Sequence, residues 1–250
     1  PARRRAPALA VLAAIAAVAA AAGVAASRLG RAPAADNRDF LLPSPNPSAM
    51  VWTPQGLWTA DWADGSVTLF DAGLTPVRTV KLPNTHPAGL AVTKDYLYLS
   101  DAWSKTIEKR LLDRQLTLVD SQPSPGPSPS GLFADGPYLW SADSQQGKIY
   151  RHKLEDLRSA VSYPAPGPAP AAVCVEDGSL WSADAQTRKI YRHAATPDLP
   201  VTEVYSLPAL TVGDEPLSAF TLHDFHFWLA RDGKALLMKR HPGAFQVEKR

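Results

Sequence analysis

A repeat of about 40 residues runs through most of the chain and constrains its fold more than any other feature. Each copy opens with a proline that is followed by small and apolar residues. The opening prolines are Pro47, Pro87, Pro129, Pro170 and Pro216, at spacings of 40, 42, 41 and 46 residues. Repeats of this length are typical either of helix pairs or of the four-stranded blades of a β-propeller.

A second pattern, about ten residues after each proline, decides between these two folds. An apolar residue, an aromatic residue and two further small or apolar residues lead to a polar position. The polar positions are Asp61, Asp101, Asp143, Asp184 and, in the fifth copy, Arg231. Turn-forming pairs such as Asp135-Gly136 separate the short apolar runs, and prolines at these positions would break helices. The sequence therefore predicts an all-β fold, a five-bladed β-propeller with four-stranded blades, over residues 38–250.

The repeated polar and aromatic positions are interpreted as scaffold. A catalytic group is needed only once, whereas the aspartate occurs in four of the five copies. We predict that each of these carboxylates accepts hydrogen bonds from backbone N–H groups of the following loop. The aromatic positions, predicted to pack between neighbouring blades, are Trp58, Tyr98, Trp140, Trp181 and Trp228.

The spacing of Leu-Pro pairs indicates how the ring of blades closes. The pair at 42–43 stands as far before the first repeat as the pair at 82–83 stands before the second. We therefore predict that Asp39–Leu42 supplies the outer strand of the fifth blade. Residues 245–249 are the alternative for the same place, and either arrangement covers an otherwise exposed strand edge.

The first 35 residues differ from the remainder in charge and hydropathy. Arginines at 3–5 precede an uncharged run over residues 6–27. Twenty apolar residues rise about 30 Å as a helix, which is enough to cross the hydrocarbon core of a bilayer. We expect residues 1–27 to be a cytoplasmic stub and a transmembrane signal-anchor helix, and residues 28–37 to be a short tether. A secretory signal that is cleaved is the alternative.

Charge indicates the location and the kinds of partner. The arginines precede the predicted span, so the N-terminus is expected in the cytoplasm. The propeller is then periplasmic, on a bacterial inner membrane. Without the five arginines of the first 35 residues, 26 − 5 = 21 basic residues face 24 acidic ones. This mildly acidic balance argues against a nucleic-acid partner.

The blade pattern, exemplified by Leu139-Trp-Ser-Ala-Asp143, resembles propellers of the NHL and glutaminyl-cyclotransferase-like kind. The resemblance covers residues 38–250 and lies at the level of fold. Glutaminyl cyclotransferases of this fold carry a Glu-Ser-Thr-Gly-like segment, and this sequence has none. The resemblance therefore implies the architecture, but it gives no reason to expect that activity.

Loop residues that differ between blades are the candidates for binding. The loops after the second strands are expected to share one face with the segments before the first strands. The candidate binding residues on these loops are Trp62, Trp103, Lys105, His86, Gln145 and Arg188. In the alternative interpretation, the loop tryptophans fold back over their own blades. We expect no catalytic residue, metal or cofactor, because no phosphate loop, Ser-His-Asp order or CxxC pattern occurs.

Two proline-rich segments, residues 123–129 and 164–170, occupy equivalent positions before the third and fourth copies. We predict stiff, extended connectors that would lose little entropy on docking. A rigid propeller with a membrane helix and no recognisable catalytic group is expected to be a non-enzymatic scaffold or binding subunit. Its expected partners are membrane lipid and proteins of a larger complex, such as a respiratory or photosynthetic one. An extracytoplasmic lyase, cyclotransferase or hydrolase, or a ligand-binding sensor, is the alternative.

Overall fold

The first strand of each repeat begins at or next to its opening proline, and five such strands surround a common axis. The computed structural model describes residues 36–250. Within that range no helix is long and apolar enough to span a bilayer. The predicted anchor at 1–27, and the tether up to residue 35, lie outside the described residues.

Five antiparallel sheets radiate from the axis, and each corresponds to one repeat. Strand β1 (Arg38–Leu41) precedes the first blade. Blade one contains β2 (Pro47–Thr53), β3 (Gly56–Asp61), β4 (Ser66–Phe70) and β5 (Pro76–Lys81). Blade two contains β6 (Pro87–Val92), β7 (Tyr96–Asp101), β8 (Thr106–Leu111) and β9 (Leu118–Pro123).

The remaining blades follow the same order from the axis outward. Blade three contains β10 (Pro129–Asp135), β11 (Tyr138–Asp143), β12 (Lys148–Lys153) and β13 (Asp156–Pro164). Blade four contains β14 (Pro170–Glu176), β15 (Ser179–Asp184), β16 (Lys189–His193) and β17 (Val201–Ser206). Blade five contains β18 (Leu217–His223), β19 (His226–Arg231) and β20 (Leu236–Arg240), and β21 (Gln246–Lys249) ends the chain's regular structure. Short 3-10 turns lie at Pro208–Leu210 and Pro242–Ala244.

The N-terminal strand closes the ring, as its proline spacing predicts. β1 pairs antiparallel with β20, from Arg38 opposite Lys239 to Leu41 opposite Leu236. The alternative closure by residues 245–249 is wrong. Instead, β21 pairs with β17 and extends blade four to five strands.

The repeated aromatic residues pack between blades, which confirms their predicted role. Trp58 of blade one lies in a cluster with Leu90 and Leu97 of blade two. Trp228 of blade five lies in a cluster with Met50 and Leu57 of blade one. Burial of one large apolar side chain contributes roughly 1.5–3 kcal/mol, so these contacts hold each blade to the next.

The axis is packed rather than open. Its interior, lined by the inner strands of all five blades, leaves about 10 Å³, which is close to the smallest space that one water needs. Gly89 and Gly131 permit this close approach, since a Cβ atom on either would collide with the backbone of the next inner strand. Hydroxyl groups add cross-blade bonds, because Ser48 Oγ donates to the Pro87 carbonyl at 2.5 Å and Ser130 Oγ to the Pro170 carbonyl at 2.7 Å.

Candidate functional site

The predicted sharing of one face by two sets of loops is confirmed. We call this face, which carries the loops between second and third strands and the segments before the first strands, the upper face. The lower face carries the hairpins between first and second strands. Asp101 joins the two sets of loops in blade two. Its Oδ2 atom accepts the His86 N–H at 3.1 Å, and its Oδ1 atom accepts the Trp103 and Ser104 N–H groups at 2.8 and 2.9 Å.

The other strand-end aspartates make equivalent bonds. In blade three, Asp143 accepts the Ser128 N–H at 2.7 Å through one oxygen and the Gln146 N–H at 2.7 Å through the other. In blade four, Asp184 does the same with Ala169 and Thr187. These carboxylates are scaffold, as predicted, and they fix the loops from which the site is built.

A shallow depression of about 230 Å³ lies where the axis reaches the upper face. The starts of the five inner strands form its floor, which the packed axis closes from below. Its wall is built from loop residues of several blades. Among the lining residues, the aromatic and acidic ones are Trp62, His86, Trp103 and Asp232.

Two tryptophans from different blades give the depression its apolar rim. The ring of Trp103 stacks on that of His86, with centroids 3.6 Å apart and planes at 9°. Trp103 is 69% exposed, so the ring face turned away from His86 is open to solvent. Trp62 is fixed differently, since its Nε1–H donates to Asp232 Oδ1 at 2.8 Å and thereby links blade one to blade five.

Among the described residues, Asp232 carries the only carboxylate in the wall of the depression, and no lysine or arginine lines it. Its Oδ1 atom also accepts the Gly233 N–H at 3.0 Å. Its Oδ2 atom accepts no hydrogen bond from residues 36–250 and is available to a ligand. In the same range, no group of three or more His, Cys, Asp or Glu residues could hold a metal ion.

The hydroxyl groups around the floor are already engaged. Ser218 Oγ donates to the Pro47 carbonyl at 2.5 Å, and Ser48 and Ser130 donate across blades in the same way. Ser144 Oγ lies 2.8 Å from Ser128 Oγ. These serines therefore stabilise contacts between and within blades, and the depression offers a ligand mainly aromatic faces, aliphatic groups and one carboxylate oxygen.

The structure brings together three of the six candidate binding residues. Trp62, His86 and Trp103 line the depression. Trp62 reaches across to Asp232 of blade five, whereas Trp103 stacks on His86 of its own blade. Lys105 and Gln145 lie exposed on upper-face loops but do not line it. The Arg188 side chain points elsewhere, because its Nη1 atom donates to the carbonyl groups of Leu210 at 2.9 Å and Gly213 at 2.6 Å.

Asp232 escaped the sequence analysis although a signal for it exists. The residue directly after the strand-end position lines the depression in every blade, and it is an alanine in two blades but a larger or polar residue in the other three. These five residues are Trp62, Ala102, Ser144, Ala185 and Asp232. A comparison of that single column across the repeats would have selected the carboxylate together with Trp62.

The proline-rich segments lie on the upper face, but the predicted extended conformation is wrong. Residues 125–128 and 166–169 form bends. Each bend brings a glycine against a strand-end carboxylate, and a Cβ atom on Gly126 or Gly167 would collide with Asp143 or Asp184, respectively. The prolines thus stiffen a curved segment that wraps around a buried carboxylate.

Known structures share the fold of this chain. Neither protein-family models nor curated protein sequences match it. Glutaminyl cyclase of Myxococcus xanthus is 14% identical, with a TM-score of 0.66 over 86% of this chain and 97% of that one. Virginiamycin B lyase of Staphylococcus aureus is 11% identical, with a TM-score of 0.55 over 83% and 99%. The WD40 propeller domain of Doa1 is 12% identical, with a TM-score of 0.54 over 76% and 62%. These likenesses confirm the predicted resemblance at the level of the propeller fold.

Proposed function

We propose that this chain is a non-enzymatic binding subunit whose upper-face depression holds a side chain of a partner protein. The observation that carries the proposal is the exposed Trp103, stacked on His86 and standing opposite a floor that the packed axis closes. Residues 1–27 would anchor the propeller to a bacterial inner membrane, where the partner is a subunit of a larger membrane complex.

The size of the depression favours one side chain over a whole cofactor. Small-molecule sites usually enclose about 300–1,000 Å³. The depression encloses about 230 Å³ and is open to solvent on one side. An inserted side chain would be held within a larger contact between the two proteins, and the loops around the depression supply the surface for it.

The rigidity of the wall favours binding. Asp101 fixes the backbone of both His86 and Trp103, so the stacked pair exists before any partner arrives. Contacts that are already ordered lose little conformational entropy on association. Exposed tryptophans of this kind commonly dominate the energy of protein–protein contacts, at about 2 kcal/mol or more each when truncated.

Enzymes among the similar structures suggest the alternative, in which the same depression holds a substrate. His86 and Asp232 are the lining groups that could exchange protons there. The serine hydroxyls are committed to structural bonds. At 11–14% identity, the likeness to a glutaminyl cyclase and a lyase supports the fold and not a reaction. Binding is therefore the function that the described geometry supports best.

The proposal is tested by the proteins that co-purify with the full chain from detergent-extracted membranes. We expect at least one protein to co-purify stoichiometrically with the wild-type chain and to be lost from the double variant Trp62→Ala, Trp103→Ala. The physical reason is that truncation removes both aromatic walls of the depression while the inter-blade tryptophans stay in place.

Phe225→Ala provides the matched control. Phe225 is an exposed aromatic residue at 81%, and it lies on a lower-face hairpin away from the depression. The variant Phe225→Ala should retain the same co-purified protein, in the same amount, as the wild-type chain. Identical sets of proteins for the wild type and the double variant, with the variant still folded by circular dichroism, would contradict the proposal.

A further inference from the structure

We infer that the group held in the depression is the guanidinium of an arginine side chain on the partner protein. This inference rests on the proposed binding function and identifies the chemistry that the same site recognises. Two independent features of the depression carry it, the available carboxylate oxygen of Asp232 and the open flat face of Trp103.

The charge of the depression selects a cation. Among the described residues that line the depression, Asp232 is the only acid and none is a lysine or arginine. The Asp232 Oδ2 atom has no hydrogen-bond donor within residues 36–250. A neutral donor placed over this carboxylate would replace the hydrogen bonds that Oδ2 makes to water but would leave its charge uncompensated. A cationic donor replaces them with charge-assisted bonds, which are stronger than neutral ones.

The neighbouring basic residues do not neutralise Asp232. Arg231 and Lys234 flank it in sequence, but both pair with Glu215, at 2.8 and 2.7 Å. Arg231 also donates to the Val212 carbonyl at 2.7 Å. Both basic side chains are therefore held by Glu215 rather than by Asp232, and the Oδ2 atom of Asp232 remains available to a ligand.

The aromatic wall selects a planar cation. Trp103 presents a flat face that is backed by His86 at an interplanar angle of 9°. A guanidinium is planar, stacks on aromatic faces and can donate N–H groups in its own plane to a carboxylate at the same time. A lysine ammonium is compact and strongly hydrated, so it would satisfy Asp232 but lose more hydration against the indole rings.

The test uses the full chain in detergent, labelled with 5-fluorotryptophan and titrated with acetyl-Gly-Arg-Gly-amide. Three matched peptides carry lysine, citrulline or norleucine in place of arginine. The variant Trp103→Phe lacks one fluorine resonance, which identifies the signal of Trp103 in the wild-type spectrum. We expect the arginine peptide to shift the Trp103 resonance saturably, with citrulline, its neutral isostere, binding at least about tenfold more weakly.

Asp232→Asn keeps an oxygen that can accept the Trp62 Nε1–H, so the wall should stay assembled. In this variant we expect the arginine peptide to bind no better than the citrulline peptide. Equal binding of arginine and citrulline, equal binding of arginine and lysine, or no saturable shift with any peptide would overturn the inference. If the partner is lost from the Trp62, Trp103 double variant but retained by Asp232→Asn, the inference fails while the binding function stands.

Discussion

At the residue scale, the residue at the end of the second strand holds the segment before the first strand in every blade, either as a hydrogen-bond acceptor or as a donor. In four blades the strand-end residue is an aspartate that accepts N–H groups from the segment before the first strand. In blade five it is Arg231, which donates to the carbonyl groups of Val212 at 2.7 Å and Glu215 at 3.0 Å. Both arrangements pin that segment to the end of the second strand. The fifth repeat is therefore different in chemistry but equivalent in structure.

A second residue-scale equivalence lies inside the blades. His152 and His193 are buried at matching positions, where Nδ1 contacts the Leu157 and Leu199 carbonyl oxygens and Nε2 contacts a serine hydroxyl. Burial lowers the pKa of both imidazoles, which favours the neutral ring. Arg110 holds the same position in blade two and donates to the Leu116 carbonyl at 2.9 Å. These histidines are structural and take no part in the candidate site.

Lys105 and Arg188 occupy a turn position that requires a left-handed backbone conformation. They adopt left-handed backbone angles, with φ of 60° and 56°, at the fourth residue after the strand-end aspartate. Blades one and three place Gly65 and Gly147 there, with φ of 67° and 62°. The turn between second and third strands imposes this conformation. Lys105 and Arg188 differ from the glycines of blades one and three because the turn tolerates a side chain at this position. The difference does not mean that either side chain faces a ligand.

Lys105→Gly is predicted to stabilise the protein. The left-handed conformation costs about 1–2 kcal/mol for a residue with a side chain, and the greater freedom of glycine in the unfolded chain takes back about 0.4–1 kcal/mol. We expect the free energy of unfolding to rise by about 0.5–1 kcal/mol. Urea unfolding followed by tryptophan fluorescence measures it.

Lys105→Ala is the control, because it removes the long side chain and keeps the unfavourable φ. Its effect should lie within about 0.5 kcal/mol of zero, as for most surface substitutions. If Lys105→Gly destabilised the protein while Lys105→Ala did so equally, the lysine side chain itself would make a stabilising contact, and the turn explanation would be wrong.

At the element scale, β1 is the strand that makes the propeller a closed ring. Its Asp39 pairs with Arg240 at 2.6 Å, and the Phe40 ring stacks on Trp228 with centroids 5.8 Å apart. Leu42 is buried and donates its N–H to the Ala235 carbonyl at 3.0 Å. Without these contacts, β20 would present an unpaired edge.

Replacing Asp39–Leu42 by Gly-Ser-Gly-Ser is predicted to destabilise the fold strongly. The change removes the Phe40 and Leu42 side chains, and truncation of a buried leucine such as Leu42 alone costs about 2–5 kcal/mol. We also expect the variant to form multimers, since the exposed β20 edge can pair with another copy. Urea unfolding and size-exclusion chromatography in detergent measure the two effects.

Removal of residues 246–250 is the matched control for the loss of β1, because it deletes the strand β21 at the other end of the propeller. β21 is exposed along its whole length and adds a fifth strand to a blade that is already complete. This truncation keeps the buried Phe245 and should cost only about 1–2 kcal/mol, the value of a few backbone hydrogen bonds. A cost for the tail as large as that for β1 would contradict the assignment of closure to the N-terminal strand.

At the scale of the whole molecule, the two ends of the axis differ in role. The described chain enters the propeller on the lower face, where Asn37 Oδ1 accepts the His241 N–H at 2.8 Å and β1 begins beside the end of β20. The depression opens on the upper face. Asn37 and the start of β1 therefore lie on the face opposite the proposed binding site.

The proposed membrane anchor gives a prediction at this scale. The full chain should remain with the membrane pellet after alkaline carbonate extraction, because about 20 apolar residues are enough to span the bilayer. A chain that begins at Asp36 should be recovered in the supernatant with its propeller folded. Release of the intact full-length chain by carbonate would contradict the anchor, and a chain shortened within its first 35 residues would indicate a cleaved signal.

The sequence by itself determined the number of blades and the strands within them. Both features follow from local sequence patterns, such as the opening prolines and the apolar run that ends at Asp61. These patterns recur in five copies, so they can be recognised without a structure. The scaffold role of the aspartates followed from the same repetition. No structural contact was needed for these conclusions, because strand formation and blade packing depend on nearby residues and on their periodicity.

Only the tertiary structure decided which side chains form the site. Trp62 and Asp232 are 170 residues apart and meet because blade closure brings the first and last repeats together. Apart from the residue directly after the strand end, loop residues have no periodicity that fixes where their side chains point. Arg188 therefore resembled a binding residue in sequence, whereas its side chain donates to the Leu210 and Gly213 carbonyl groups. Loop residues of different blades meet at the axis only because the ring is closed, so no single repeat contains the site.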